Sequence, residues 1–286
     1  MRIAHLILTH AAPTQLERLI NRLKHPEADC YIHIDLKTPI SNFLFLAERE
    51  HVFFVKSRVK VKWGAYSIVQ ATLNGFEAIL QSGKNYDYIN LLSGQDYPLK
   101  SADQIHEYLS INAGKAFMHT LLVNSEWLEA VPRLTGYHLT TYTIPKRYTI
   151  ERLINAILPK RKMPAGLIPV GRSQWFTITA SHANYIVEYL RSNPQVKRFF
   201  SLTWGCDEII FQTILYNSRH REDMVNDNLR YIDWSDGKPS PATLTLKDAD
   251  ALAHCGKLFA RKFNISIDTS ILDFLDASIS SEVNVN

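Results

Sequence analysis

The chain has 286 residues, 46% hydrophobic and 21% charged, enough for a sizeable core in one large α/β domain or two small ones. Its net charge of +4 is scattered rather than concentrated, which argues against a nucleic-acid partner, and no apolar run is long enough to be an integral membrane segment. Cys30, Cys206 and Cys255 lie far apart in no metal-ligand spacing. A sparse, odd count suits a reducing compartment and speaks against a disulfide framework or a zinc site.

In chain order, "RIAHLILTH" reads as a buried first strand. His5 and His10 interrupt its short apolar stretch, so it is not read as a signal peptide. "PTQLERLINRLK" sets Leu16, Leu19, Ile20 and Leu23 on one face of an amphipathic helix. "DCYIHID" and "HVFFVK" are further strands. "SIVQATLNGFEAILQS" is a helix that offers Ile68, Leu73, Phe76, Ile79 and Leu80 to the core. "YDYINLLSG" is a central buried strand, and "SADQIHEYLSIN" a helix opened by a capping Ser or Asp. Strands alternating with helices predict an α/β fold with a mostly parallel mixed sheet covered on both faces. Such sheets bind ligands outside the carboxyl ends of their strands, which here carry His10, Asp35 and the "SGQDYP" turn with Asp96.

The middle, roughly 116–169, is less regular. "KAFMHTLLV" is another strand, and "PKRYTIERLINAILPKRKMP" is a basic helical segment between prolines, its charge read as a solvated face. "SQWFTITASHANYIVEYL" is strand, turn and helix. "TWGCDEIIFQTIL" carries two acids at the entrance of an apolar run. "NLRYIDWS" is a late strand, "TLKDADALAHC" a helix with a Thr cap, and "LFARKFN" a short extended piece with two cations. With no repeat and no Gly- or Ser-rich linker, one domain over 1–264 is expected. A C-terminal tail follows at 265–286, its last residues loose.

The common phosphate and hydrolase motifs are absent. There is no G-x-x-x-x-G-K-[ST], no G-x-G-x-x-G after the first strand, no H-E-x-x-H and no G-x-S-x-G. The one D-x-D, Asp248 and Asp250, falls in a helical stretch where residues i and i+2 diverge. It reads as helix-start acids, and no metal site is assigned. Arg261 and Lys262 offer a planar fork and a compact charge to a diphosphate; a surface basic pair on an edge strand is the alternative. Asp207 and Glu208 read either as a helix cap with a first-turn acid, or as a site in which Glu208 is a general base at a pocket mouth.

Several blocks in order bear on these readings: "LILTH", "CYIHIDLK", "VKWGAYSIVQATL", "YDYINLLSGQDYPLKS", "GRSQWFTITASHANYIVEYL", "CDEIIFQTIL", "NLRYIDW" and "LFARKFN". Together they resemble the metal-independent glycosyltransferase family of core-2/I-branching N-acetylglucosaminyltransferases and peptide O-xylosyltransferases, over nearly the whole chain. The resemblance implies a single GT-A-like nucleotide-sugar domain without cofactor. It implies an inverting transfer of GlcNAc or xylose from a UDP-sugar to a glycan or other hydroxyl acceptor. Glu208 falls on the family's catalytic base, Asp35 on its uridine site, and Arg261 and Lys262 on its diphosphate site. His10 and Trp63 match donor-side positions, and Asp96, the lone acid where a metal motif would stand, is grouped with them. Trp175 and Trp204 are candidate acceptor platforms, with core aromatics as the other reading, and Asp207 is a cap or a ligand of the acceptor hydroxyl. The stretch 117–169 matches little in the family, and "GKPSPATLTLKD" lacks an arginine that the branching enzymes carry. The disulfide pattern and membrane anchor of animal members are missing as well, which implies a cytoplasmic protein, or one peripheral to the inner face of a membrane.

Two rival classes stand beside this reading. A non-catalytic sugar-binding module would not need Glu208 for more than binding. A glycoside hydrolase needs two carboxylates about 5–10 Å apart across the bond. The adjacent Asp207 and Glu208 cannot flank a sugar in that way, so a hydrolase would require a second acid such as Asp96.

Overall fold

Strand β1 (Ile3–Thr9) shows why the sheet forms where it does. Ile3 and Ile7 point into one apolar cluster and Ala4 and Leu6 into another, so both faces of the strand are buried. In the computed structural model, which describes residues 1–283, the remaining strands are β2 (Ala28–Ile34), β3 (Val52–Phe54), β4 (Tyr88–Ser93), β5 (Asp96–Pro98), β6 (Ala116–Leu122), β7 (Val170–Thr179), β8 (Met224–Val225), β9 (Arg230–Ile232) and β10 (Phe259–Arg261). The main sheet runs β3-β2-β1-β4-β7-β6-β8, and a smaller one runs β5-β10-β9. Strands β1 to β4 pair in parallel, while β7 is antiparallel to both β4 and β6. This is the mixed, mostly parallel α/β sheet that the alternating pattern predicts.

The helices are α1 (Pro13–Leu23), α2 (Tyr66–Leu80), α3 (Ala102–Ile111), α4 (Val131–Thr135), α5 (Arg147–Ile157), α6 (Ala180–Ser192), α7 (Pro194–Ser201), α8 (Ile210–Tyr216), α9 (Ala249–His254) and α10 (Ser270–Val283). Apolar residues of α2, α6, α7 and α8 cover one face of the main sheet; those of α1, α3, α10 and the small sheet cover the other. Local chemistry sets several starts. Ser101 and Gln104 form a reciprocal capping box at α3, and Thr179 and His182 form one at α6. Proline occupies the first turn of α1 and α7, where a missing N–H costs nothing.

The segment set apart as a tail contributes Ile271, Leu272 and Leu275 to the second core cluster, and its Asp273 and Asp276 pair with Arg18 of α1. The loose end expected for the last residues lies, for 284–286, outside the described residues.

The small sheet is tied to the large one by Arg230. Its guanidinium donates to Asn90 Oδ1, to Thr177 Oγ1 at 3.0 Å, and to the carbonyls of Leu91 and Phe176 at 3.0 Å each. One buried side chain thereby fixes β9, and through it β10, against β4 and β7.

Candidate active site

Because β1, β2 and β4 are parallel, their carboxyl ends coincide. Backbone bonds stitch the loops that leave them: Asp35 N donates to Thr9 O at 2.8 Å and Gly94 N to Leu8 O at 3.0 Å. A cleft of about 980 Å³ opens there. Antiparallel β7 begins at the same end, so Arg172 to Trp175 join the lining. Of the residues singled out in the sequence, His10, Asp35, Trp63, Trp175, Trp204, Asp207, Glu208, Arg261 and Lys262 line this cleft. Asp96 does not.

One wall is built around Glu208. Gly205 takes a left-handed conformation (φ 63°), which turns the chain into a 3-10 turn at Cys206–Glu208 before α8 starts at Ile210. The buried Ile209, Ile210, Phe211, Ile214 and Leu215 then anchor the turn. This corrects the capping reading of Asp207. The free N–H groups of α8 lie beyond both acids, and no side chain caps either helical segment. Asp207 is instead buried, with Oδ1 lacking a hydrogen-bond partner. Burial, reinforced by the charge of Glu208, pushes its carboxyl up to about 7.

Glu208 is 31% exposed and accepts a 2.6 Å charged bond at Oε2 from Arg133 Nη1. Arg133, on α4, lies over the rings of Trp204 (4.5 Å) and Trp127 (4.9 Å). Trp63 meets Trp204 edge-on, with ring centroids 5.3 Å apart. Behind this wall, a Cβ added to Gly171 would stand 2.1 Å from the Glu208 carbonyl oxygen, so β7 can back the turn only where it has no side chain.

The opposite chemistry comes from β10. Arg261 sits in register with Asp96 of β5, and their side chains pair at 3.1 Å. Asp96 is fully buried behind the arginine and accepts from Ser93 N at 2.9 Å. It therefore cannot contact a donor directly, as grouped from sequence; it braces Arg261. Burial pushes the Asp96 carboxyl up and the Arg261 guanidinium down, and their mutual attraction opposes both shifts. The guanidinium also lies 4.2 Å from the centre of the Trp175 ring. The strand ends at Arg261, so Lys262 is free of strand alternation and both cations line the cleft. Lys262 Nζ donates to Ser240 Oγ at 2.7 Å, in a loop that brings Trp234 and Lys238 to the rim. The tryptophans are thus grouped differently from the sequence reading: Trp63 stands with Trp204 beside Glu208, and Trp175 with Arg261.

At the strand ends, Asp35 accepts from Lys37 N at 2.8 Å and faces Lys37 Nζ at 3.3 Å. Beneath it, His33 is buried and its Nε2 accepts from Val59 N at 3.1 Å, which leaves the proton on Nδ1. Burial pushes its pKa down to about 4, so the ring is neutral.

Sequence reasoning missed Arg133, Trp127 and His33. His33 stands in "YIHID" and could have been found from its period-2 relation to Asp35. Arg133 and Trp127 lie in the stretch 117–169, whose blocks match little of the family, and no local signal marks them. The D-x-D acids do not reach the cleft: Asp248 forms a capping box with Thr245, and Asp250 lies 3.3 Å from His254. Among the described residues, His182, His220 and Asp223 bring three possible metal-ligand atoms within 4.8 Å of one another, and none of the three lines the cleft.

The model of the family described as "Core-2/I-Branching enzyme" matches residues 3–253. The chain belongs to the Core-2/I-branching enzyme family. Xylosyltransferase 2 of Rattus norvegicus is 27% identical over 96% of this chain and 33% of its own length. Xylosyltransferase oxt of Drosophila melanogaster is 27% identical over 82% of this chain and 26% of its own. The chain thus spans a third or less of these relatives. The crystal structure of mouse xyloside xylosyltransferase 1 superposes with a TM-score of 0.41 at 12% identity, over 90% of this chain and 97% of that one. The family match covers both acids of the Glu208 wall and ends before the cationic pair on β10.

Proposed function

We propose that this member of the Core-2/I-branching enzyme family transfers a sugar from a UDP-sugar to a hydroxyl acceptor, with inversion and without a metal. The observation that carries the reading is one cleft that holds the Glu208 carboxylate on one wall and Arg261 with Lys262 on another. Relatives named xylosyltransferase support xylose as the sugar; the sequence blocks shared with N-acetylglucosaminyl branching enzymes support GlcNAc.

The acceptor oxygen attacks the anomeric carbon from the face opposite the diphosphate and gives its proton to Glu208. Arg133 holds Oε2, which orients the carboxylate and leaves Oε1 for that proton. Negative charge grows on the departing UDP, where Arg261 and Lys262 stabilise it electrostatically. Asp35, over neutral His33, receives the uridine. Below about pH 7 Asp207 is a neutral acid able to donate to an acceptor oxygen. Asp96, sealed behind Arg261, is not available as the second carboxylate of a hydrolase.

The test is a thermal-shift screen of the purified chain against UDP-sugars, followed by release of UDP in the presence of an acceptor panel and excess EDTA. A ligand at a hundred times its dissociation constant stabilises by about 2.7 kcal/mol. A protein that no UDP-sugar stabilises would remove the donor from the proposal. Turnover abolished by chelator and restored by Mn²⁺ would replace the metal-free mechanism.

A further inference from the structure

Helix α5 has no buried residue. Glu151 and Asn155 on its inner side hold the chain that leaves α4: Leu139 N donates to Glu151 Oε1 at 2.7 Å, and Tyr137 N to Asn155 Oδ1 at 2.7 Å. Arg161, just beyond α5, locks the segment down through the carbonyls of Gly136, Leu202 and Phe199. The outer side is left with large aliphatic groups in water: Leu153 is 55% exposed, Ile157 77% and Leu158 46%. Leu153 and Ile157 are four apart and lie on one stripe.

Charge says what this face meets. Residues 142–168 contain six cations and a single acid, Glu151, already committed to Leu139 N and to Arg147 at 3.5 Å. Lys146, Arg152, Lys160 and Lys162 are exposed around the aliphatic stripe. A short helix with an aliphatic stripe bordered by cations is the pattern of a segment lying in a membrane interface. At 11 residues it is about 16 Å long, half a hydrocarbon core, so it lies along a bilayer rather than across it.

We propose that α5 and the basic turn after it dock the protein on an anionic lipid bilayer. Leu153, Ile157 and Leu158 enter the headgroup region, and Arg152, Lys160 and Lys162 meet acidic headgroups. The docked segment is one step from the reacting carboxylate, because α5 clamps the chain leaving α4 and α4 carries Arg133 to Glu208. On the transferase reading above, the Glu208 wall then takes its acceptor hydroxyl from a molecule held at the bilayer surface; the docking itself does not depend on that reading.

The experiment floats the full chain with vesicles of phosphatidylcholine alone and of phosphatidylcholine mixed with phosphatidylglycerol. Wild type is expected to float with the anionic vesicles and to be released by high salt. The double variant Leu153→Glu/Ile157→Glu, both at exposed positions, is expected to lose at least about tenfold in vesicle affinity with unchanged circular dichroism and thermal midpoint. Lys160→Glu/Lys162→Glu is expected to lose the preference for anionic lipid. Equal binding to both vesicle types, no binding to either, or a double variant that floats like wild type would overturn the proposal. So would a dimer in sedimentation that dissolves in the double variant, which would assign the face to a second copy of the chain. None of these readouts involves UDP or transfer, so failure here is separate from failure of the proposed activity.

Discussion

The two chemically distinct walls of the cleft are held in place by different means. The cationic wall rests on backbone pairing. Arg261 is set by the β10 register against β5 and β9, and Asp96 is its directly opposed partner in that register. The Glu208 wall rests on side chains from distant segments: a left-handed glycine, a 3-10 turn, and an arginine that lies over two tryptophans and reaches across 75 positions of sequence. A wall built by strand register resists single substitutions that leave the ladder intact. A wall built by stacked side chains depends on each of them, and two of these, Trp127 and Arg133, come from the irregular stretch 117–169.

If the walls divide the labour as proposed, variants should separate binding from turnover. The largest effect is expected from Glu208→Gln: UDP affinity by calorimetry stays at the wild-type value, and transfer falls roughly 10²–10⁴-fold. Near-normal turnover would take Glu208 out of the chemistry and favour a binding module. On the other wall, Lys262→Ala should weaken UDP binding itself and lower transfer by about 2 kcal/mol, roughly thirtyfold. Unchanged UDP affinity in that variant would locate the diphosphate elsewhere.

Gly171→Ala tests whether the Glu208 wall depends on backbone contact. The new Cβ must displace the Glu208 carbonyl, and a loss of about 1–3 kcal/mol of stability together with turnover is expected in denaturant melts and transfer assays. A variant as stable and active as wild type would mean that the turn is not backed by β7 in solution. Arg133→Met should keep UDP affinity and reduce transfer about tenfold, as for loss of one charged contact. A matching loss of UDP affinity would erase the distinction between the walls.

The subtlest test is pH. The Asp207 carboxyl is raised by burial and by Glu208, to about 7. The unfolded chain therefore releases this proton at lower pH than the folded one does. Wild type should lose stability relative to Asp207→Asn as pH rises from about 4 to about 7, by at most about 1.4 kcal/mol per unit, with parallel curves above. Thermal midpoints of the two proteins across that range measure it; curves parallel throughout would mean that Asp207 is ionised in the fold.

The sequence by itself determined the strand–helix alternation, the parallel strands whose ends meet at His10 and Asp35, the capped start of α3 at "SAD", and the identity of the two cations in "FARKF". These are legible because burial periodicity, capping and strand-end position are local properties of a few neighbouring residues. Glu208 was legible only through its resemblance, since its local pattern looked like an ordinary helix start. Tertiary structure alone decided that Asp96 braces Arg261 instead of facing a ligand, that Trp63 packs edge-on against Trp204, and that Arg133 pairs with Glu208. Each of these is a side-chain contact between segments remote in sequence, set by how the sheets and loops pack, and no periodicity or propensity in either segment encodes its partner.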